Sequence, residues 1–333
     1  MSSGLLVTGD ATEWDAWLAE HGVDDVYATL GWGRLWAGWE LGEAVGIRWD
    51  GPGGRVLYPV VRVPLDDLPG GRGHHDLRVP YDFGGPLALG DDPVALLAAF
   101  DEAMAPLRKE WGVVTEFARL HPYWTPPPDA VPRGAHAAVD LHAEGAEHHA
   151  THRQDVRRAL REGVRVTFHD APAPSDLDAF LSLYAHTMER LDAVPYFRFD
   201  PGVLRRVGEH PAMTLAVARR DADVLAAALF LRAGKRYFYF LSASGPAHLR
   251  LRPNNLLLHE AIAWARREGA RTLHLGGGSP SLRRFKERLA NVRVQTALWR
   301  RVHDPGALRA LGGHDDGWFP TWFPDLHAQR WSR

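Results

Sequence analysis

Eight consecutive apolar residues, Val224 to Leu231, lie between the charged Asp223 and Arg232. An apolar run this short, closed by charge at both ends, has the length of a buried strand. Its neighbours extend the pattern: Met213 to Arg219 and Lys235 to Ser242 also read as strands, joined to it by the short turns Asp221-Ala222-Asp223 and Ala233-Gly234. The result is a three-stranded meander. No stretch approaches the roughly 18 uninterrupted apolar residues of a membrane span. Met1 to Asp10 lacks the basic-then-apolar order of a secretory leader, so a cytoplasmic protein without integral membrane association is expected. With 45% hydrophobic and 24% charged residues the chain can bury a core, which excludes a mainly disordered protein. Its 333 residues suit two domains at roughly 100 to 200 residues each. It has no cysteine, which excludes disulfide scaffolds, thiolate zinc sites, iron–sulfur clusters and cysteine nucleophiles.

Elsewhere the periodicity alternates between helix and strand. Ala11 to His21 and Trp32 to Trp39 have helical spacing, with Asp10 and Thr29 as caps. Val45 to Trp49 and Arg55 to Val63 flank Asp50-Gly51-Pro52-Gly53-Gly54, a hairpin signal. Gly70 to His75 is a loop, Pro93 to Trp111 a helix and Val113 to Ala118 a strand, and proline-rich Tyr123 to Pro132 interrupts the pattern before a strand at His136 to Leu141. Beyond it come helices at His152 to Glu162 and Ser175 to Leu191, the latter with Ser175 and Asp178 spaced like a capping box, and then the meander. A helix at Asn255 to Arg267 stops at Gly269, and Asn254 reads as its cap. Strand Thr272 to Leu275, turn Gly276-Gly277-Gly278, helix Pro280 to Ala290 and strand Arg293 to Arg301 follow. The second half thus reads ααβββαβαβ.

A net charge of −2 conceals a strong asymmetry: residues 1–146 carry 22 Asp or Glu against 10 Lys or Arg, whereas residues 232–301 carry 15 Lys or Arg against Glu260, Glu268 and Glu287. The basic segment is suited to polyanions, or else neutralises the acidic half or forms a solvated face. Only Lys109, Lys235 and Lys286 among the 39 basic residues are lysine.

Four motifs stand out: Phe238-Tyr239-Phe240-Leu241-Ser242-Ala243-Ser244, Arg252-Pro253-Asn254-Asn255-Leu256-Leu257, Leu273-His274-Leu275-Gly276-Gly277-Gly278 and Arg284-Phe285-Lys286. With the element order, they resemble the GNAT-type acyltransferase domain of the FemABX family, best over residues 150–302. Trp32 and Trp39 with Tyr81-Asp82-Phe83-Gly84-Gly85-Pro86 resemble that family's amino-terminal GNAT-like domain. The resemblance implies a mixed α/β (α+β) protein of tandem GNAT-like domains, each a largely antiparallel sheet flanked by helices. The expected divisions are residues 1–145 on the acceptor side, 146–302 as the catalytic domain, and an aromatic tail, 303–333, packing on the body. It further implies transfer of an aminoacyl group from aminoacyl-tRNA to an amine, usually on the peptide stem of a cell-wall precursor and in some relatives on a peptide natural product, by direct attack with no metal and no covalent acyl-enzyme; no cofactor and no DNA partner are expected.

Within that frame, Lys286 is the expected catalytic residue, an ammonium placed to stabilise the oxyanion formed at the ester carbonyl; an exposed helix lysine is the plainer reading. The turn that holds pyrophosphate in CoA-using relatives would be Arg250 to Asn255, but Pro253 lacks an N–H and the glycines are missing. Arg250 and Arg252, with Asn254 and Asn255, remain candidates for phosphate, as do Arg283 and Arg284. Arg153, Arg157, Arg158 and Arg161 share one helix face that suits tRNA phosphates or solvent. Ser242 and Ser244, with Tyr239 and Phe285, are candidate substrate contacts. Arg190, Tyr196 and Arg198 lie where the family contacts the acceptor, as do Arg34, Trp36, Tyr81 and Asp82 in the first half. Asp82 and Glu260 are candidate bases, and the leaving ribose hydroxyl is another destination for the proton.

In murein-type members a lysine occupies the position of Trp36, and the acid after Gly-Pro is displaced here to Asp91, so a peptide or specialised-metabolite acceptor is expected in place of a nucleotide-linked precursor. His74 and His75, or His148, His149 and His152, lack a ligand spacing for zinc, and Gly276-Gly277-Gly278 is not a dinucleotide fingerprint. An N-acyltransferase using a CoA or carrier-protein thioester is the alternative enzyme, and an RNA-binding module on a transferase fold is a third reading.

Overall fold

The computed structural model describes residues 4–143 and 150–313. In chain order the first elements are β1 (Leu5–Thr8), α1 (Ala11–Glu20), α2 (Leu30–Ala37), β2 (Glu43–Gly51), β3 (Gly54–Pro64), β4 (His75–Arg78), β5 (Leu87–Gly90), α3 (Pro93–Glu110) and β6 (Val113–Arg119). The next are β7 (Val131–Asp140), α4 (Ala150–Arg161), β8 (Arg165–His169), α5 (Pro174–Arg190), α6 (Pro201–Gly208), β9 (Met213–Arg220), β10 (Asp223–Ala233) and β11 (Arg236–Ser244). The last are α7 (Pro253–Arg267), β12 (Thr272–Gly276), α8 (Pro280–Glu287), β13 (Val292–Val302) and α9 (Pro305–Ala310). Two compact units result, one of residues 4–134 with 295–313 and one of residues 135–294, so that their boundaries fall inside β7 and β13.

In the first unit the strands run β1-β2-β3-β4-β6-β13, with β5 on β3. β4 and β6 pair parallel and the other pairs are antiparallel. Asp10 and Thr29 cap α1 and α2 by accepting backbone N–H groups, as their positions predict. The core on one face gathers Trp49, Tyr58, Phe100 and Trp299, all within 2% of full burial. Trp36 corrects an expectation. It is fully buried, its ring 5.8 Å from Trp32 and 4.9 Å from Tyr81, so it is packing and offers no face to an acceptor.

The second unit orders its strands β7-β12-β11-β10-β9-β8, with only β11 and β12 parallel. The meander is β9-β10-β11, and the apolar run occupies its central strand. Ala216, Ala218, Ala226 and Ala228 are fully buried beside Leu257, Leu258, Ala261 and Ala265 of α7, small side chains that let a helix approach a sheet closely. Trp264 of α7 stacks on Phe168 of β8 with centroids 5.0 Å apart.

Three local expectations differ from the structure. β8 and α6 are additional elements: β8 has short, weakly alternating apolar content, and α6 spans only eight residues. Ser175 does not cap α5, because Pro174 starts the helix one residue earlier and Ala173 takes the cap position. Asn254 does not cap α7, because Arg252 occupies that place with left-handed φ of 58° and Pro253 opens the helix. No helix among the described residues is long and apolar enough to cross a membrane. The aromatic tail from Trp318 to Pro324, and His148 and His149, lie outside the described residues.

Candidate active site

β11 and β12 pair through Arg236↔Thr272, Tyr237↔Leu273 and Phe238↔His274, and there the pairing stops. Beyond it β11 continues to Ser244, whereas β12 turns at Gly276, whose φ of 73° lies in the left-handed region that glycine tolerates. Parallel strands that part this way leave a gap in the sheet, and α8 follows directly. Ser279 caps α8 by accepting the Leu282 N–H, and Pro280 is its first residue.

The sole buried residue of α8 is Lys286, 6% exposed. A lysine is rarely buried without a partner. Here its Nζ donates to the Gly277 carbonyl at 2.7 Å and lies 5.4 Å from the centroid of the Tyr239 ring. A backbone carbonyl and an aromatic face are both partners that a lysine ammonium can engage. The lysine expected to act in catalysis therefore stands at the open end of the sheet, against the glycine turn.

Tyr239, Ser242 and Ser244 line the continuing half of β11. Burial pushes the Tyr239 hydroxyl up to about 12, opposed by its hydrogen bond with Ser242. Ser244 is buried and its Oγ accepts the Asn254 side-chain N–H at 3.1 Å, tying strand end to helix start. Phe285 packs on the core beside α7.

Arg252 and Asn255 are committed elsewhere. Arg252 Nε lies 3.1 Å from one Asp155 oxygen, and the Asn255 side-chain N–H donates to the other at 3.2 Å, so α4 is pinned to the turn before α7. Arg250, Arg283 and Arg284 are exposed and make no ion pair among the described residues. On α4 the buried residues His152, Val156 and Ala159 define one face, and Arg153, Arg157, Arg158 and Arg161 are exposed.

The remaining candidates have surroundings of their own. Arg198 donates to the Ala193 carbonyl at 2.7 Å, pairs with Asp192 at 3.2 Å, and borders a cavity of about 210 Å³ with Tyr184, Met188 and Leu204. Tyr196 is half-buried against Phe197, and Arg190 is exposed. In the first unit Asp82 pairs with Arg119 at 3.0 Å, Tyr81 is buried, and Arg34 donates to the Gly9 carbonyl. Among the described residues no three His, Asp or Glu side chains are grouped to hold a metal.

Sequence reasoning missed His136 and His274. His274 is 1% exposed on β12, its ring 5.3 Å from that of His136 and 5.2 Å from Phe238. Burial pushes it well below the usual imidazole range, and His136 and Lys286 act in the same direction. The signal was present: a histidine inside the apolar Leu273-His274-Leu275.

Residues 147–287 match the family model described as the acetyltransferase (GNAT) domain, Acetyltransf_6. No curated protein matches the chain at a significant level. Among solved structures, FemX superposes with a TM-score of 0.62 at 14% identity, covering 88% of this chain and 96% of FemX. The carboxy-terminal DUF2156 domain of a candidate lysylphosphatidylglycerol synthetase from Agrobacterium fabrum has a TM-score of 0.55 at 17% identity, covering 91% and 96%. L-PGS from Bacillus licheniformis has 0.51 at 15% identity, covering 91% and 95%. At these identities the likeness is one of fold. Residues 147–287, which include Lys286, thus match a GNAT-type domain, and the fold of the chain is similar to that of FemX.

Proposed function

We propose that the protein is an aminoacyltransferase that moves an aminoacyl group from aminoacyl-tRNA to an amine of a peptide-type acceptor. The observation that carries this reading is Lys286, buried at the gap between β11 and β12 with its ammonium held by the Gly277 carbonyl. The amine nitrogen attacks the ester carbonyl carbon directly, and a C–N bond forms as negative charge gathers on the carbonyl oxygen. A fixed ammonium in a partly dry site stabilises that charge without reorganising. The ester C–O bond then breaks, and the ribose hydroxyl leaves with no covalent enzyme intermediate.

The start of α7 supports an ester donor over a CoA thioester. Pyrophosphate recognition at a helix start uses successive backbone N–H groups approached closely over glycine. Here that position carries Arg252, Pro253 and two asparagines, with Arg252 and Asn255 already engaged by Asp155. The exposed arginines of α4, with Arg250, Arg283 and Arg284, suit an RNA backbone. The fold shared with FemX and L-PGS fits the same reading.

The test is incubation with a mixture of radiolabelled aminoacyl-tRNAs and peptide amines, with and without RNase. RNase-sensitive label transfer supports the proposal and identifies the donor. Turnover only on acyl-CoA overturns it in favour of a thioester-dependent N-acyltransferase, and RNA binding without any turnover overturns it in favour of a binding module.

A further inference from the structure

The site just described holds a cation for the oxyanion but leaves the proton of the attacking amine unassigned. Asp82, one sequence candidate, is paired with Arg119 in the first unit, and Glu260 lies half-buried on α7. The turn that holds Lys286 carries a different candidate. A Cβ built on Gly277 would stand 2.6 Å from His136 Nε2, so the half-buried His136 ring lies directly against that glycine. The carbonyl of the same glycine accepts the Lys286 Nζ at 2.7 Å. Behind His136, at 5.3 Å between ring centroids and tilted by 46°, stands His274.

Side chains from β7 and α8 therefore meet at one residue of the turn, with His274 of β12 behind the first of them. Around His274 stand Phe238 from β11 and Ala138 and His136 from β7, and the charge of Lys286 from α8 acts on it. Nothing in this set favours a charged His274, which stays a neutral imidazole behind His136.

We propose that His136, positioned by the buried His274, accepts the proton that the attacking amine loses in aminoacyl transfer. This rests on the reading given under Proposed function. As the amine nitrogen bonds to the ester carbon, its proton passes to the imidazole lone pair of His136. As the C–O bond breaks, the same proton passes from His136 to the departing ribose oxygen, so that one N–H is lost and one O–H gained. An imidazole is matched to this task near neutral pH. His136 is thus the catalytic member of the pair and His274 a positioning residue.

The test compares single-turnover label transfer by wild type, His136→Gln, His274→Asn and Lys286→Ala across pH 5.5 to 9. Wild-type transfer with an acid limb, lost in His136→Gln together with about 10²- to 10⁴-fold of the rate, is the expected result. Imidazole in the buffer restores part of the His136→Gln rate and none of the Lys286→Ala rate. His274→Asn keeps the limb but displaces it. His136→Gln at wild-type rate with the limb intact overturns the proton assignment and leaves the aminoacyl-tRNA reading standing. Absence of tRNA-dependent transfer in wild type overturns both. Should His136→Gln unfold, ¹⁵N-histidine NMR of the wild-type protein decides: a His136 imidazole neutral by about pH 8 supports the proposal, and one still protonated there overturns it.

Discussion

Lys286 shows how much a single buried charge constrains its surroundings. Its ammonium is satisfied by a carbonyl and an aromatic ring, so the turn that supplies the carbonyl must hold its shape. Gly277→Ala is expected to disturb that shape, since the new Cβ would meet His136 Nε2 at 2.6 Å. Thermal unfolding should show a modest loss of stability, and label transfer should fall disproportionately because the Lys286 anchor shifts. Unchanged transfer in a destabilised variant would contradict the anchoring role. At this scale the sequence was partly legible. Scarcity of lysine and the Phe285-Lys286 motif singled out the buried lysine, but nothing in the sequence distinguished Trp36 as packing from Trp36 as a ligand contact. That distinction depends on the Tyr81 and Trp32 rings that close over it.

Elements carry the second set of consequences. α4 is fixed to the turn before α7 through Asp155, which receives both Arg252 and Asn255. Asp155→Ala is expected to lower unfolding stability by about 1 kcal/mol, since Arg252 is half exposed and solvent screens its part of the interaction. Chemical denaturation would check it. If the exposed arginines of α4 meet a nucleic-acid backbone, Arg153→Ala with Arg157→Ala should lower the slope of log affinity against log salt by roughly 1.5 in a tRNA titration. An unchanged slope would mark that face as merely solvated. The meander was legible because turns of two or three residues bracket a continuous apolar run. β8 was not, because Arg165, Thr167 and His169 leave only Val166 and Phe168 as apolar content; what makes it a strand is pairing with β9, a tertiary fact. The cap of α7 was misread because Pro253 opens the helix before the asparagines, and the helix needs no side-chain cap.

At the scale of the whole molecule, the acidic first half buries charge as well as displaying it. Asp76 is fully buried, and burial pushes its carboxyl up to about 7 despite Arg78 and the Thr115 hydrogen bond. Glu116, also fully buried, would be raised by burial, but Arg108, His303 and Tyr58 outweigh it and bring it down to about 2. The two act oppositely on stability. Asp76 binds its proton more tightly folded than unfolded, so its contribution is fully present below about pH 4 and is lost as pH rises to about 7. Glu116 contributes above about pH 4.5 and its contribution is lost as pH falls to about 2. Wild type should therefore lose stability relative to Asp76→Asn between about pH 4 and 7, measured by denaturant unfolding at several pH values. Parallel curves would contradict the buried, protonated state of Asp76.

The division of the chain into its two units follows from packing that no local signal reports: Trp299 of β13 buries against Tyr58, and Arg301 joins Asp129 and Asp101. The central claim, however, is chemical. Its most direct measurement is the single-turnover rate of RNase-sensitive aminoacyl transfer by wild type and Lys286→Ala, with folding of both confirmed by circular dichroism. The account predicts transfer by wild type and a fall of about 10²- to 10³-fold on losing Lys286, the cost of removing one preorganised donor to an oxyanion. Equal rates in the two proteins would contradict it.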